Sequence, residues 1–160
     1  MNDAPTDRDI AAALQRYLHE HIPLSAAMQV AVLAVDAQGV TLGAPLAPNI
    51  NHRATVFGGS ASALAILAAW ALLHTRLAGL GVDSRLVIQR NTMSYERPII
   101  GAFTARSFLP QPESWPLFMR MLERKARGRI AVHAVLEFAG QRAGLLEGDF
   151  VALAATRDDA

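Results

Sequence analysis

Apolar and polar residues follow two periodicities along this chain, one typical of helices and the other of strands. Apolar residues recur with helical spacing after Thr6, again in the middle of the chain and again after residue 113. This pattern predicts a helix from Thr6 to about residue 20, a second over residues 59–77 and a third capped by Ser114. Alternating or continuous apolar runs predict six strands, over residues 28–36, 40–43, 86–97, 101–109, 129–138 and 145–155.

The two outer helices are predicted to be amphipathic. In the first, Thr6 is a suitable N-cap with Asp9 three residues later, and Pro23 is expected to end the helix. Its predicted apolar face consists of Ile10, Leu14, Tyr17 and Leu18. The buried stripe of the third helix is predicted to consist of Leu117, Phe118, Met121 and Leu122.

The central helix is apolar on nearly all sides. Its apolar residues include Leu64, Ile66, Leu67, Trp70, Leu72 and Leu73. A helix without a polar face is expected to be enclosed, here by the sheet. The near-continuous apolar run, residues 61–73, is shorter than the roughly 20 residues that span a bilayer, so no membrane span is expected. The N-terminus lacks the features of a signal peptide, and we expect a cytoplasmic protein.

The order of these elements predicts an α+β fold. Consecutive strands joined by tight turns, such as the one at Gln38-Gly39, favour antiparallel pairing. One long buried helix combined with an antiparallel sheet is typical of the α+β class. We expect a single domain over residues 1–160, with an N-terminal helical extension (1–24) and a core (28–156) in which the third helix lies between strands four and five.

Composition narrows the chemistry of this domain. Of its 160 residues 52% are hydrophobic, and the large share of alanine favours close packing and a buried oligomer surface. The formal net charge of +1 provides no general attraction for nucleic acid or for a membrane surface. Cysteine is absent, which excludes a thiol nucleophile and a zinc–thiolate site, and no metal is expected because no metal-binding spacing occurs.

A polar segment stands directly before the apolar central helix. Residues 49–60 read Asn-Ile-Asn-His-Arg-Ala-Thr-Val-Phe-Gly-Gly-Ser. The first backbone N–H groups of a helix have no partner within the helix, and the helix start carries a partial positive charge. Both properties suit a carbonyl oxygen on which negative charge develops. We therefore expect the chemistry of the protein at this segment.

The element order and three motifs resemble a known family. The motifs are Asn51-His52-x-x-Thr55-x-Phe57-Gly58-Gly59-Ser60, the central helix with Trp70, and Tyr95-Glu96-Arg97-Pro98. Together they resemble the hotdog fold, in which a curled antiparallel sheet wraps around one long helix. Within that fold they resemble the YiiD C-terminal domain family of thioesterases. The resemblance covers roughly residues 28–156.

This resemblance implies a substrate class and an assembly. Hotdog proteins generally bind acyl thioesters of coenzyme A or acyl carrier protein. Coenzyme A or phosphopantetheine is then part of the substrate, and no separate cofactor is expected. Such proteins work as homodimers or larger assemblies such as dimers of dimers, with the acyl pocket at the subunit interface.

The resemblance also shows a departure from a related group. In PaaI-type thioesterases an Asn precedes a His-Gly-Gly by six positions, and a carboxylate on the helix acts as base or nucleophile. Asn51 and Gly58-Gly59 match that pattern here, but Phe57 replaces the histidine and Ile66 replaces the acid. The usual hydrolytic residues are therefore incomplete.

Five residues are candidates for catalysis. Gly58 and Gly59 either let a thioester carbonyl approach the helix-start amides or only form a tight junction. Asn51 either donates its amide to the thioester or bonds its own loop as a turn residue. His52 is either a general acid or base or an exposed loop residue. Ser60 either bonds the thioester or a water, or caps the helix.

Further residues are candidates for substrate binding, namely Thr55, Phe57, Tyr95, Glu96, Arg124 and Arg127. Glu96 either replaces the missing acid or forms an exposed ion pair. Arg124 and Arg127 belong to a basic cluster over residues 120–129 that either meets the phosphates of coenzyme A or a carrier protein, or is a solvated helix face. His74, near the end of the central helix, is expected to be structural, where the helix dipole favours a cation.

These observations leave several functions open. The first is a thioesterase that holds the tetrahedral oxyanion at the helix start. The second is a malonyl-thioester decarboxylase, which needs oxyanion stabilisation but no strong base. A third is a non-catalytic acyl-thioester binding module, and a fourth is dehydration or hydration with His52 and Glu96.

Overall fold

A computed structural model describes residues 4–155 of the chain. The predicted end of the core at residue 156 lies one position outside that range. The structure contains helices α1 (Asp7–His21), α2 (Pro23–Ala27), α3 (Gly58–Gly79) and α4 (Ser114–Lys125). Its strands are β1 (Ala31–Val35), β2 (Val40–Ala44), β3 (Ser84–Tyr95), β4 (Phe103–Phe108), β5 (Arg127–Phe138) and β6 (Gln141–Ala154). A short 3-10 helix, Ala47–Asn49, precedes α3.

The six strands form one antiparallel sheet around α3. The strand order is β1-β2-β4-β5-β6-β3, and each neighbouring pair is antiparallel. Helix α3 contacts β2, β3, β4, β5 and β6, and its residues Leu64, Leu72 and Leu73 are fully buried. In β5, Ile130, Val132, Ala134 and Leu136 alternate into this core. The predicted α+β hotdog fold is therefore confirmed.

Helix α3 is longer than its apolar core suggests. It has 22 residues and is long and apolar enough, by length and composition alone, to cross a membrane. The length argument made from residues 61–73 was therefore wrong. Ten of its 22 residues are buried, because the helix packs inside the curled sheet. These contacts are those of the core helix of a folded domain.

The N-terminal helix begins as predicted. Thr6 is the N-cap of α1, and its hydroxyl accepts a hydrogen bond from the backbone N–H of Asp9 at 3.3 Å. The Asp9 carboxylate accepts one in return from the Thr6 N–H at 3.0 Å, which completes a capping box. Leu14 and Leu18 are buried, whereas Ile10 lies at the exposed margin of the predicted face.

An aromatic stack holds α1 against α3. The Tyr17 ring stacks on His21 at a centroid distance of 4.1 Å and on His74 at 4.6 Å. Trp70 also stacks on His74 at 4.6 Å, and the Tyr17 and Trp70 ring centroids lie 6.2 Å apart. Burial lowers the pKa of His74, and the nearby His21 lowers it further. His74 is thus structural, as predicted, but the neutral imidazole is favoured instead of the expected cation.

The lowered pKa of His74 predicts how stability depends on pH. The unfolded imidazole, with an ordinary pKa near 6.5, binds a proton more readily than the folded one, so stability falls as the pH falls through that value. Thermal unfolding of the wild type and of His74→Gln at pH 7.5 to 5.5 measures this. We expect the variant to be less stable than the wild type at pH 7.5, because it loses the stack. Its stability should, however, decrease less than that of the wild type as the pH falls. Parallel curves would contradict the assignment.

Helix α1 ends before Pro23, as predicted, and Pro23 itself begins the short helix α2, since a proline is favourable in the first turn of a helix. Two other local predictions were wrong. Ser114 is the first residue of α4 and bonds the carbonyl of Gln111, so it is not the N-cap. In α4 only Phe118 and Leu122 are buried, while Leu117 and Met121 are 55% and 41% exposed. The sheet therefore covers only part of the apolar stripe of α4, and the rest of the stripe is exposed to solvent.

Candidate active site at the start of the central helix

The loop before α3 is closed by Asn51. Its side-chain oxygen accepts hydrogen bonds from the backbone N–H groups of Arg53 at 2.9 Å and Thr55 at 3.1 Å. Its Nδ2 donates to the Thr55 hydroxyl at 2.8 Å. These bonds hold Ala54 in the left-handed region, at φ 59°, where a side chain is unfavourable by about 1–2 kcal/mol. The structure thus places Asn51 in the turn-forming arrangement.

Asn49 anchors the same loop to the core. Its side chain is 2% exposed, and its Nδ2 donates to the carbonyls of Pro45 at 2.8 Å and Met28 at 3.0 Å. Its own carbonyl accepts from the N–H of Phe57 at 2.7 Å. The buried Oδ1 has no hydrogen-bond partner among the described residues. Asn49 therefore fixes both the loop and the residue from which α3 starts.

The start of α3 exposes backbone donors. Phe57 is the N-cap, and no side chain caps the helix. The first bond of the helix runs from the N–H of Ala61 to the carbonyl of Phe57 at 3.0 Å. The N–H groups of Gly58, Gly59 and Ser60 thus have no acceptor within the helix. Ser60 is the third residue of α3, which excludes the helix-cap interpretation.

A cleft of ≈ 510 Å³ opens at this helix start. Four predicted site residues line it, namely Thr55, Gly58, Tyr95 and Glu96. The other lining residues are Arg53, Val56, Ala61, Arg97, Pro98, Ile99, Leu136 and Ala143. Backbone bonds join its walls, because the N–H of Val56 donates to Ile99 at 2.8 Å and that of Glu96 to Ala143 at 2.9 Å. The cleft therefore lies between the motif loop, the end of β3 and β6.

Two exposed aromatic rings flank the first turn of α3. Tyr95 is 59% exposed, and its ring lies 3.5 Å from the position that a Cβ on Gly58 would occupy. Phe57 is 57% exposed and covers Gly59, where an added Cβ would lie 2.9 Å from the Phe57 Cζ. The two glycines thus differ, since the space beside Gly58 belongs to the cleft and that beside Gly59 is filled by a ring.

Glu96 is held in an ion pair. The Arg142 guanidinium donates to both of its carboxylate oxygens, from Nη2 at 2.6 Å and from Nε at 2.9 Å. The hydrogen bonds from Arg142 hold the pKa of Glu96 below its ordinary value, and the charge of Arg97 adds to the effect. The exposed-ion-pair interpretation therefore fits, and a carboxylate with a lowered pKa is a weak general base.

The remaining predicted residues lie outside the cleft. His52 is exposed in the turn of the loop and does not line the cleft. Gly59 and Ser60 are absent from its wall as well, although their N–H groups belong to the same helix start. Among the described residues no three His, Asp or Glu side chains are placed to hold a metal ion.

The basic cluster lies at the far end of the sheet. Arg127 begins β5, and Leu136, which lines the cleft, follows nine residues later on the same strand. At about 3.3 Å per residue the two are about 30 Å apart. Arg124, at the end of α4, is next to Arg127 and shares this position. Within one chain these two arginines therefore do not join the other predicted site residues.

A larger cleft lies elsewhere on the molecule. It measures ≈ 710 Å³, and its wall includes Tyr17, Trp70 and Leu86. Trp70 follows Gly58 by twelve residues, about 18 Å along α3. This cleft contains no helix start and none of the predicted site residues, so volume alone does not mark the site.

Sequence reasoning missed most of the cleft wall. Arg97 and Pro98 belong to the Tyr95-Glu96-Arg97-Pro98 motif and Ile99 directly follows it, so the sequence gave a signal for them. Leu136 and Ala143 reach the cleft through strand pairing and have no sequence signal of their own. The anchoring role of Asn49 was also missed, since its only signal in the sequence was a polar residue among apolar neighbours.

Comparison with known proteins identifies the family and agrees with the fold. A family model described as "putative thioesterase (yiiD_Cterm)" matches residues 11–154. A protein of unknown function from Chlorobaculum tepidum is 25% identical, with a TM-score of 0.88, covering 96% of this chain and 100% of that one. A putative thioesterase from Shewanella oneidensis is also 25% identical, with a TM-score of 0.79 and coverage of 91% and 98%.

A more distant similarity extends to a protein of phenylacetic acid degradation. The Escherichia coli PaaI protein is 14% identical, with a TM-score of 0.63 and coverage of 94% of this chain and 97% of that one. At this identity the similarity shows the fold alone. The family match, by contrast, spans nearly the whole described chain. The chain therefore belongs to the YiiD C-terminal domain family of thioesterase-like proteins.

Proposed function

We propose that this protein hydrolyses acyl thioesters of coenzyme A or acyl carrier protein. Water adds to the thioester carbonyl carbon, and the carbonyl oxygen becomes an oxyanion. The carbon–sulfur bond then breaks, one proton of the water ends on the departing sulfur, and the products are a carboxylic acid and a thiol. The backbone N–H groups at the start of α3 stabilise the oxyanion.

One observation carries this proposal. Gly58 is the first residue of an uncapped helix and also lines the 510 Å³ cleft. A carbonyl that enters the cleft therefore meets unpaired N–H groups at the positive end of a helix dipole. Membership of a thioesterase-like family supports the same chemistry.

The charges of the cleft favour an anionic carrier. Arg53 and Arg97 both line it, and the one carboxylate in its wall, that of Glu96, is paired with Arg142. The rim therefore carries excess positive charge. Coenzyme A and phosphopantetheine both carry phosphate, which arginine binds well. No separate cofactor is needed, because the thioester brings its own carrier.

A second candidate is decarboxylation of a malonyl thioester. In that reaction the carboxylate leaves as CO₂, its electron pair forms a thioester enolate, and a proton on carbon gives the acetyl thioester. The step needs an oxyanion site but no base. The pairing of Glu96 with Arg142 favours it, since that carboxylate is a weak base.

A panel of thioesters separates these functions. Malonyl, acetyl, medium-chain and aryl thioesters on both carriers are incubated with the protein, and the products are identified by mass spectrometry. Free thiol with the matching acid supports hydrolysis, whereas CO₂ with an acetyl thioester supports decarboxylation. Binding without turnover of any member would instead support a non-catalytic binding module.

The structure also supports a homodimer. Strand β3 has 12 residues and lies at the edge of the sheet, paired with β6 on one side only. A long exposed edge strand is a template for pairing with another chain. Val87, on this edge, is an exposed apolar residue. We infer that β3 pairs with β3 of a second copy.

Sedimentation tests the assembly. We expect the wild type at twice the mass of the chain, or four times if dimers associate. Val87→Glu should shift it toward monomer, because it places a charge on the pairing edge. The matched control is Leu33→Glu on the opposite edge strand β1, where Leu33 is also exposed. A wild-type monomer at all concentrations, or equal effects of both variants, would contradict the pairing.

A further inference from the structure

We propose that the Tyr95 hydroxyl donates a hydrogen bond to the thioester carbonyl oxygen and to the oxyanion formed from it. This inference rests on the proposed function and adds a side-chain donor to the backbone donors of α3. It makes Tyr95 a catalytic residue that touches the reacting atoms.

The position of Tyr95 is fixed by the sheet. It is the last residue of β3 and pairs with Gly144 on β6. Just beyond it, the N–H groups of Glu96 and Arg97 both donate to the carbonyl of Ala143, at 2.9 and 3.1 Å. The backbone on both sides of the ring is therefore held, which directs the side chain toward the start of α3.

The hydroxyl end of the ring faces Gly58. From the position of a Cβ on Gly58, Cε1 of Tyr95 lies 3.5 Å away, Cζ 3.7 Å and the hydroxyl oxygen 3.9 Å. An oxygen that accepts from an N–H at the helix start lies about 2.9 Å from that nitrogen. We place that oxygen in the cleft that Gly58 and Tyr95 both line.

The hydroxyl is free to act as a donor. Among the described residues Tyr95 makes no hydrogen bond with its side chain, and it lines the cleft while 59% exposed. A neutral hydroxyl donates more strongly as negative charge grows on its acceptor, and so it stabilises the transition state more than the substrate. Tyr95 keeps its proton throughout.

Removal of one oxygen atom tests this role. Tyr95→Phe keeps the ring beside Gly58 and deletes only the donor. For a thioester that the wild type hydrolyses, we expect kcat to fall by about 10²-fold and KM to rise by a smaller factor, because the hydroxyl bonds the oxyanion more strongly than the bound carbonyl. The matched control is Tyr17→Phe, the same chemical change in the stack between α1 and α3, which should leave kcat unchanged. An unchanged kcat in Tyr95→Phe would overturn the inference.

A binding experiment decides the role of Tyr95 independently of turnover. Two stable analogues of a coenzyme A thioester are compared by calorimetry, acetonyl-coenzyme A with a carbonyl and propyl-coenzyme A without one. We expect the wild type to prefer the ketone and Tyr95→Phe to lose most of that preference. An equal preference in both proteins would overturn the inference. If the wild type hydrolyses no thioester, the proposed hydrolase function is contradicted. The ratio of the two analogue affinities, measured in wild type and in Tyr95→Phe, still tests whether Tyr95 is a donor.

Discussion

Replacement of Gly58 by alanine is expected to leave the fold intact and to remove most of the activity. The added methyl group lies 3.5 Å from the Tyr95 ring, an ordinary van der Waals distance, so it needs no rearrangement. Because Gly58 has helical geometry, alanine should stabilise α3 by up to about 0.5–1 kcal/mol. The methyl group fills the space between the helix start and Tyr95, however, and excludes the carbonyl. We expect kcat/KM to fall by about 10²-fold.

Gly79→Ala provides the matched control. Gly79 is the last residue of the same helix, and an alanine Cβ there would have no neighbour within 4 Å. Both variants should therefore raise the melting temperature, but only Gly58→Ala should lose activity. Thermal unfolding and thiol release measured on the same preparations give both values. Full activity in Gly58→Ala would place the reacting carbonyl somewhere other than the helix start.

The fold was predictable where periodicity reflects burial. The alternation of β5 was correctly read because its inward residues face α3, and α3 was read from its lack of a polar face. The prediction failed where one residue type, here glycine, is compatible both with a turn and with the interior of a strand. The predicted strands over residues 129–138 and 145–155 leave residues 139–144 between them as a turn, yet β6 begins at Gln141, and Gly144 lies inside it.

Gly144 shows why that local reading failed. An added Cβ there would lie 2.7 Å from the carbonyl oxygen of Ser94 on β3. The glycine is required by the close approach of the paired strand, and not by a turn. The sequence near residue 144 contains no information about Ser94, which lies fifty positions earlier. Only the pairing of β3 with β6 reveals the constraint.

In the candidate site, too, local features were predictable from the sequence and features that depend on distant residues were not. Gly58, Thr55 and the helix start were found because they belong to one continuous segment that precedes an apolar helix. The state of Glu96 was not predictable in detail, because its partner Arg142 is 46 positions away. The role of Asn49 was missed for the same reason, since it depends on the carbonyl of Met28, 21 positions earlier.

Asn49→Asp is expected to be the most damaging single-atom change in the loop. The Nδ2 of Asn49 donates to two carbonyl oxygens in the core, and aspartate replaces that donor by an acceptor. An ionised carboxylate would be buried against the carbonyls of Met28 and Pro45. Breaking a buried polar arrangement in this way is unfavourable by about 3–5 kcal/mol at neutral pH. The loop and the start of α3 should lose their order together, because Phe57 is bonded to Asn49.

The damage should decrease as the pH falls. Burial and the two carbonyl oxygens raise the pKa of the new carboxyl in the folded state above its ordinary value near 3.9. Between these two pKa values the folded state binds a proton that the unfolded state has released, so the variant gains stability relative to the wild type as the pH falls. The gain approaches about 1.4 kcal/mol per pH unit, and the protonated acid regains one donor.

Denaturant unfolding of the wild type, Asn49→Asp and Asn51→Asp between pH 7 and pH 4.5 measures this. Asn51 is the control because its Oδ1 accepts two backbone hydrogen bonds, which a carboxylate also accepts, at a partly exposed position. Its aspartate variant should lie close to the wild type and should not gain stability on acidification. If the two variants instead showed the same pH dependence, Asn49 would not be the buried anchor that positions the start of α3.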